Sequence, residues 1–157
     1  MDKRSAAAVA IGGVLVAAVL GARNGPQRPM TALWYARLDK PRFTPPGPLI
    51  GAAWGTLELL LASSGYRLLQ ARGAEARTAA IGSWALTLVG LAGYPWLFFR
   101  RKQLGESAVA SASMLAAALG TVAAAREVDR PAALMTVPLT LWLGFATLLS
   151  EELWRRN

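Results

Sequence analysis

The feature that most constrains this chain is a series of five apolar blocks separated by short basic segments. The blocks cover residues of about 5–22, 49–70, 77–99, 107–125 and 132–152. Each approaches the roughly 20 apolar residues that a helix needs to cross a hydrocarbon core about 30 Å thick. A soluble bundle of buried helices would need polar helices to cover it, and this sequence offers none. We therefore predict an all-α membrane protein, a five-transmembrane-helix bundle that forms a single domain over residues 1–157.

The first block has a second interpretation, because Lys3 and Arg4 precede a run of small apolar residues as in a secretory signal peptide. The run is long for such a signal, however, and Arg23 follows it in place of a clean cleavage site. We therefore favour a retained first helix.

Composition narrows the chemistry that is open to this chain. It has no Cys and no His, which removes thiolate nucleophiles, the commonest metal ligand and general base, and the usual axial ligand of haem. The net charge of +8 is compatible with nucleic-acid binding, but cations beside apolar helices more simply set membrane topology and contact anionic headgroups. We predict a lipid bilayer as partner, no nucleic acid, no metal site, no covalently bound cofactor and no catalytic residue.

The distribution of cations predicts the orientation in the membrane. With five spans, the side that carries the N-terminus holds seven Lys and Arg residues and the other side holds ten. The positive-inside rule then places the N-terminus outside, with the long loop and the C-terminus in the cytoplasm.

The longest segment outside the apolar blocks, residues 23–48, is rich in prolines and aromatic residues. Its stretch MTALWYARLDK has helical spacing and predicts a short helix at the interface, where Trp34 and Tyr35 favour headgroup depth. Pro45 and the two prolines after it predict a stiff, extended connection to the second span, because proline fixes φ and restricts the residue before it. A stiff segment loses little entropy on binding, which suits a binding role.

Two helical positions are candidates for a ligand site. Glu58 is the only acidic residue deep inside a block, and it shares a helix face with Trp54 four residues earlier. An ionisable group at that depth normally faces a bundle interior or a wet cavity. It is either a protonated structural residue, a residue wetted near the headgroups, or part of a ligand site. Tyr94, one turn before Phe98, is predicted to face inwards, whereas the aromatic residues around it are typical of an interface belt.

The fourth block carries a small residue at every fourth position, which permits close helix crossing. These residues are Ala108, Ala112, Ala116, Gly120 and Ala124. The stripe predicts packing either within the bundle or between two copies of the chain, and we favour packing within the bundle.

Several motifs follow one another in a recognisable order. The pattern WYxxLxKPxxxPP begins at Trp34, AW at Ala53, FF at Phe98, and VPxxxWxxFAxxL at Val137. Together they resemble the TspO/MBR family of tryptophan-rich sensory proteins and translocator proteins, from about residue 10 to the end. The loop pattern is the most specific of them. The resemblance implies a five-helix bundle, often a homodimer, with a pocket among the helices beneath residues 23–48, which we call the lid.

The resemblance also implies a ligand and a set of pocket residues. Family members bind porphyrins and other tetrapyrroles of the haem pathway, and in animals cholesterol, so porphyrin or haem is the implied ligand. The residues that the motifs carry over are Trp34, Tyr35, Pro45, Trp54, Trp142 and Ala146, to which Glu58 and Tyr94 are added from their helical positions. The chain departs from the family pattern at Glu58, where members commonly have tyrosine.

The leading hypothesis is an integral membrane binding protein, a receptor, carrier or sensor for a flat apolar ligand. A porphyrin or other tetrapyrrole is favoured over a sterol or lipid. One alternative is a light-dependent porphyrin-degrading enzyme, in which tryptophans supply electrons to the photoexcited ligand. The other is a structural or assembly protein whose pocket has decayed.

Overall fold

The computed structural model of this protein describes residues 1–73 and 75–157, and within these residues every regular element is helical. The elements are α1 (Lys3–Arg23), α2 (Pro29–Arg37), α3 (Gly47–Gln70), α4 (Glu75–Pro95), a π-helical turn (Trp96–Arg100), α5 (Leu104–Val128) and α6 (Arg130–Arg156). The all-α prediction is confirmed for the described residues. Four of the predicted blocks lie inside one of the longer helices, and the third, residues 77–99, runs through α4 into the π-helical turn.

The five longer helices pack side by side in a closed ring. In order around the ring they are α1, α3, α6, α5 and α4, with α4 packing against α1 again. One face of α1 is buried along the length of the helix, and most of the residues on this face are small, among them Ala6, Ala10 and Gly21. Small residues let helix backbones approach closely, which provides packing attraction where the hydrophobic effect is absent.

Two pairs of polar side chains inside the bundle connect neighbouring helices. The Ser64 hydroxyl on α3 lies 2.9 Å from both the Ala132 carbonyl oxygen and the Thr136 hydroxyl on α6. The Ser111 hydroxyl on α5 lies 3.0 Å from the Thr147 hydroxyl on α6. Such hydrogen bonds hold helices in register in an apolar surrounding, where a lone polar group would be costly.

The outer surface of the ring is apolar. Large hydrophobic side chains point outward from every long helix, including Leu59, Leu86, Val109 and Leu141. A continuous exposed apolar surface of this kind matches contact with lipid chains. Within the described part of the chain, four helices are long and apolar enough to span a membrane, namely α1, α4 with the π-helical turn, α5 and α6.

The helix α3 differs from the other four in composition. Its 24 residues give a length of about 36 Å, which exceeds the hydrocarbon core, but it is not among the helices apolar enough to qualify as a span. Glu58, Arg67 and several Gly and Ser residues lower its mean hydropathy. Composition and length thus support four of the five predicted spans.

A single residue, Asp129, joins α5 to α6 and connects both to α3. Its carboxylate accepts a hydrogen bond from the Ala132 N–H at 2.8 Å, which caps the start of α6. It also accepts from Nε and Nη2 of Arg67, at 2.8 and 3.0 Å. These bonds from the Arg67 guanidinium hold the pKa of Asp129 below its usual value.

Replacing Asp129 by alanine is expected to destabilise the protein by about 1–2 kcal/mol. Most of this is the lost helix cap, because the Arg67 side chain is 40% exposed and a pair of that kind contributes less than about 1 kcal/mol. Since the folded-state pKa is lowered, the ionised form contributes fully above the unfolded pKa of about 3.9, and its contribution is lost as pH falls through the folded value. Thermal unfolding in detergent from about pH 6 to pH 3 should show the gap between wild type and variant narrowing. The matched control is Glu127→Ala at an exposed neighbouring position. A stability gap for Asp129→Ala that stays constant with pH would contradict the prediction.

Candidate ligand-binding site

A cavity of about 500 Å³ occupies one half of the ring, at the end where α3 begins and where α1, α4 and α6 end. This volume lies in the range of small-molecule sites in proteins. Each of the five long helices contributes to its wall, and Tyr35 of α2 closes it from the lid side. The cavity is therefore the candidate ligand-binding site.

Aromatic rings form two walls of the cavity. On the α3–α6 side, Trp54 and Trp142 meet edge to face with their ring centroids 6.1 Å apart, and Phe145 continues this wall 5.6 Å from Trp142. On the α4 side, Tyr94 stacks on Phe98 at 5.7 Å with an interplanar angle of 18°. Flat walls of this kind suit a flat, apolar ligand.

Small residues of α1 face these aromatic walls. Ala17, Ala18 and Gly21 line the cavity from α1, and the Gly21 backbone lies so close to α4 that an added Cβ would stand 3.1 Å from the Leu91 carbonyl oxygen. A larger side chain at position 21 would force α1 away from α4. The small residues thus bring α1 close to its neighbour and leave the space beside it open.

Polar groups are few in the cavity. The Tyr94 hydroxyl lies 2.8 Å from the Ser150 hydroxyl, so these two groups satisfy each other. Glu58 lines the cavity one turn along α3 from Trp54, and no hydrogen bond or ion pair to it is found within the described residues. The indole N–H of Trp142 is also buried, and it has no hydrogen-bond acceptor within the described residues.

The lid docks through an aromatic cluster on the π-helical turn. Trp34 and Tyr35 of α2 pack edge-on against Phe98, with ring centroids 5.7 and 6.1 Å from that of Phe98. The Tyr35 ring also packs edge-on against Phe99, at a centroid distance of 5.6 Å. A π-helical turn widens the helix by one residue, which rotates the residues beyond it relative to a regular helix. Here Phe98 and Phe99 both reach the lid. Burial raises the pKa of the Tyr35 phenol, so it stays neutral at physiological pH.

The end of α6 holds the lid from the other side. Asn157 Oδ1 accepts a hydrogen bond from the Asp39 N–H at 2.9 Å, and Asn157 Nδ2 donates to the Asp39 carbonyl oxygen at 3.2 Å. Two cations lie over the lid aromatics outside the cavity, with Lys40 Nζ 4.5 Å from the Tyr35 ring centroid and Lys102 Nζ 5.4 Å from that of Trp34. The lid is therefore fixed by α4 and α6 together.

The structure brings together most of the residues that the sequence indicated. Those that line the cavity are Tyr35, Trp54, Glu58, Tyr94, Trp142 and Ala146. Trp34 and Pro45 are not among the residues that line the cavity. Neighbouring residues on a helix point about 100° apart, and with Tyr35 turned towards the cavity, Trp34 is turned away from it. Trp34 lies instead between Phe98 and Lys102, and Pro45 lies half-buried in the connection to α3.

Several lining residues were missed by the sequence analysis. They include the small residues of α1, Met114 of α5, and Phe98, Phe145 and Leu149. The Trp142–Phe145–Leu149 spacing, which repeats every three or four residues on α6, was the signal available for the last two. For the α1 residues no signal exists, because Ala and Gly are abundant on all its faces.

A sequence model described as the TspO/MBR family matches residues 7–155. The translocator protein of Ovis aries is 32% identical over 126 residues, which is 79% of this chain and 75% of that protein. The tryptophan-rich protein TspO of Bacillus cereus is 28% identical over 132 residues, 82% of this chain and 84% of that protein. Protein CrtK of Rhodobacter capsulatus is 28% identical over 125 residues, 79% and 78% of the two chains.

Proposed function

Because this chain belongs to the TspO/MBR family, a family of membrane proteins, we propose that it binds a flat, apolar small molecule in the cavity beneath its lid. A porphyrin or other tetrapyrrole is the first candidate, and a sterol is the second. The observation that carries the proposal is the pair of aromatic walls, Trp54–Trp142 and Tyr94–Phe98, on either side of a cavity of about 500 Å³. The protein acts as a receptor, carrier or sensor.

The arrangement supports binding better than chemical conversion. Among the residues that line the cavity, Glu58, Tyr35 and Tyr94 are the only ones that titrate, and Tyr94 is already paired with Ser150. General acid–base catalysis needs a positioned donor and acceptor pair, and this lining offers a single carboxylate. Aromatic and small apolar side chains make up most of the remaining surface, which suits shape recognition.

The same proposal includes the membrane arrangement. The helix α3 serves as the fifth span, since it packs between α1 and α6 and has sufficient length, so its lower hydropathy reflects the cavity that it lines. The cation distribution supports an outside N-terminus, which puts the lid and the cavity mouth at the cytoplasmic side. A homodimer is the proposed assembly.

Replacing Trp54 by alanine is expected to weaken ligand binding about tenfold, because it removes half of one aromatic wall. The measurement is a titration of the purified protein in detergent with protoporphyrin IX, haem and cholesterol, followed by tryptophan fluorescence and porphyrin absorbance. Trp96→Ala is the matched control, since Trp96 is 44% exposed and contacts Arg101 outside the cavity. Equal affinities of the two variants would place the ligand elsewhere.

The titration also separates the alternative functions. Loss of porphyrin absorbance that requires both light and protein would indicate a degrading enzyme. A stable, shifted spectrum in light and in the dark supports a binding protein. If no member of the panel binds, the function lies in assembly with a partner, and the proposal fails.

A further inference from the structure

Among the described residues, Glu58 is the one carboxylate that lines a cavity made mostly of apolar and aromatic side chains. It lies in the middle of α3, partly buried, on the face that also carries Trp54. Within the described residues, the acidic side chains that form ion pairs are Asp129, Glu151 and Glu152, all outside this cavity. A carboxylate in such a position is costly to leave without a hydrogen-bond donor, so its partner is to be sought among ligands.

The negative charge of Glu58 lies inside the cavity, whereas the positive charges nearby lie outside its lining. Among the described residues, no Lys or Arg lines the cavity. Lys40 of the lid and Lys102 beyond the π-helical turn lie over Tyr35 and Trp34, outside the lining. An anionic group inside the cavity would therefore meet Glu58 with no cation to compensate, at low dielectric, where like charges repel strongly. A carboxylate or sulfate on a ligand is tolerated only at the mouth, near the basic residues of the lid.

A ligand group that donates a hydrogen bond would be favoured beside Glu58. An ammonium or hydroxyl group would satisfy the Glu58 carboxylate, and a hydrogen bond to an ionised acceptor is stronger than one between neutral groups. Trp54 and Trp142, which line the same region, favour a cation further, because the face of an indole ring attracts positive charge. Among the other polar groups of the lining, the Tyr94 and Ser150 hydroxyls satisfy each other, whereas the Trp142 indole N–H has no acceptor within the described residues.

We propose that Glu58 sets the ligand specificity of this cavity: it selects flat apolar molecules that carry an N–H or O–H donor, a protonated amine above all, and rejects those that carry an anion at that end. This inference rests on the proposed binding function and adds the charge of the ligand to it. It predicts that a porphyrin with free propionates binds only with those groups directed towards the lid.

The test uses ligands that share one ring system and differ at one substituent. Sterols with a 3-amino, 3-hydroxy, 3-oxo or 3-sulfate group are titrated into the purified protein in detergent. Protoporphyrin IX is compared in parallel with its neutral dimethyl ester. In wild type the expected order of affinity is amine, hydroxyl, ketone, sulfate, with the amine about tenfold tighter than the ketone. The dimethyl ester is expected to bind more tightly than the diacid.

The variant Glu58→Gln keeps the shape of the side chain and removes its charge, so the differences in affinity among the sterols should largely disappear. Affinity for the amine falls about tenfold, while the ketone and the sulfate gain, because the amide donates as well as accepts. Glu106→Gln is the control, since Glu106 is an exposed residue of the first turn of α5, at the same end of the bundle but outside the cavity. It should leave the order unchanged.

The outcomes are distinguishable. Ligands that bind wild type with an order that Glu58→Gln does not alter overturn the specificity inference and leave the binding function standing. An equal change in both Glu variants assigns the effect to the net charge of the protein and also overturns it. If no sterol or porphyrin binds wild type, the binding function fails and the inference fails with it.

Discussion

Replacing Ala146 by tryptophan is expected to reduce ligand binding at least about a hundredfold while the protein still folds. Ala146 lies on α6, within the cavity lining and next to Phe145, which forms part of the aromatic wall. An indole at this position would occupy part of a cavity of about 500 Å³ and leave too little space between the walls for a ligand of porphyrin or sterol size. Filling an existing space avoids most of the overpacking cost of about 1–3 kcal/mol that a close-packed core would impose.

The matched control for this variant is Leu148→Trp. Leu148 lies two residues further along α6 and is 61% exposed on the apolar outer surface, so the added ring meets lipid or detergent. Titration with protoporphyrin IX and cholesterol should show full binding by this control and none by Ala146→Trp. Circular dichroism and thermal unfolding check that both are folded. Undiminished binding by a folded Ala146→Trp protein would exclude the cavity as the site.

Replacing Gly65 by alanine is expected to be the most destabilising of the changes considered, at about 3 kcal/mol. A Cβ at this position of α3 would overlap the ring of Trp84 on α4. Trp84 is only 4% exposed, and its indole N–H donates to the Leu61 carbonyl oxygen at 3.0 Å, so the ring cannot move without losing this bond and its packing. The cost combines overpacking of about 1–3 kcal/mol with a buried hydrogen bond of about 1 kcal/mol.

Two other glycines provide internal controls for the steric argument. At Gly55, on the same helix, an added Cβ meets nothing within 4 Å, so alanine should be neutral or stabilising by about 0.5–1 kcal/mol. At Gly90 the nearest obstacle is the flexible side chain of Met114, so alanine should cost less than at Gly65. Thermal unfolding of the three variants in one detergent gives the ranking. A Gly65→Ala protein as stable as Gly55→Ala would show that the Trp84 ring can shift without lowering the free energy of unfolding.

Hydropathy and periodicity predicted the elements well but not always their contacts. The short helix in the lid was confirmed as α2, since its apolar spacing is a local property. The small-residue stripe of α5 was expected to pack within the bundle, yet Ala112 and Ala116 are exposed. The buried face of α5 instead carries larger and polar residues such as Met114, Ser111 and Thr121.

The lid shows the same division between sequence and structure. Its aromatic and proline content indicated a binding role, and the motif indicated both Trp34 and Tyr35 as pocket residues. Only the docking of α2 on Phe98 and Phe99 decided that Tyr35 faces the cavity. The bonds between Asp39 and Asn157, 118 positions apart, carry no signal in the sequence.

The sequence by itself determined the helical membrane class, the family, the lid and the shared face of Trp54 and Glu58, because these follow from hydropathy, motif order and the helical repeat. The tertiary structure decided which face of each helix turns inward and where the cavity opens between α1 and the aromatic walls. The physical reason is the solvent. In a bilayer, apolar side chains are as stable against lipid as inside the bundle, so hydropathy does not distinguish the two faces of a helix. The inward face of a helix is determined instead by close packing of small residues, such as Gly21 and Gly65, against neighbouring helices.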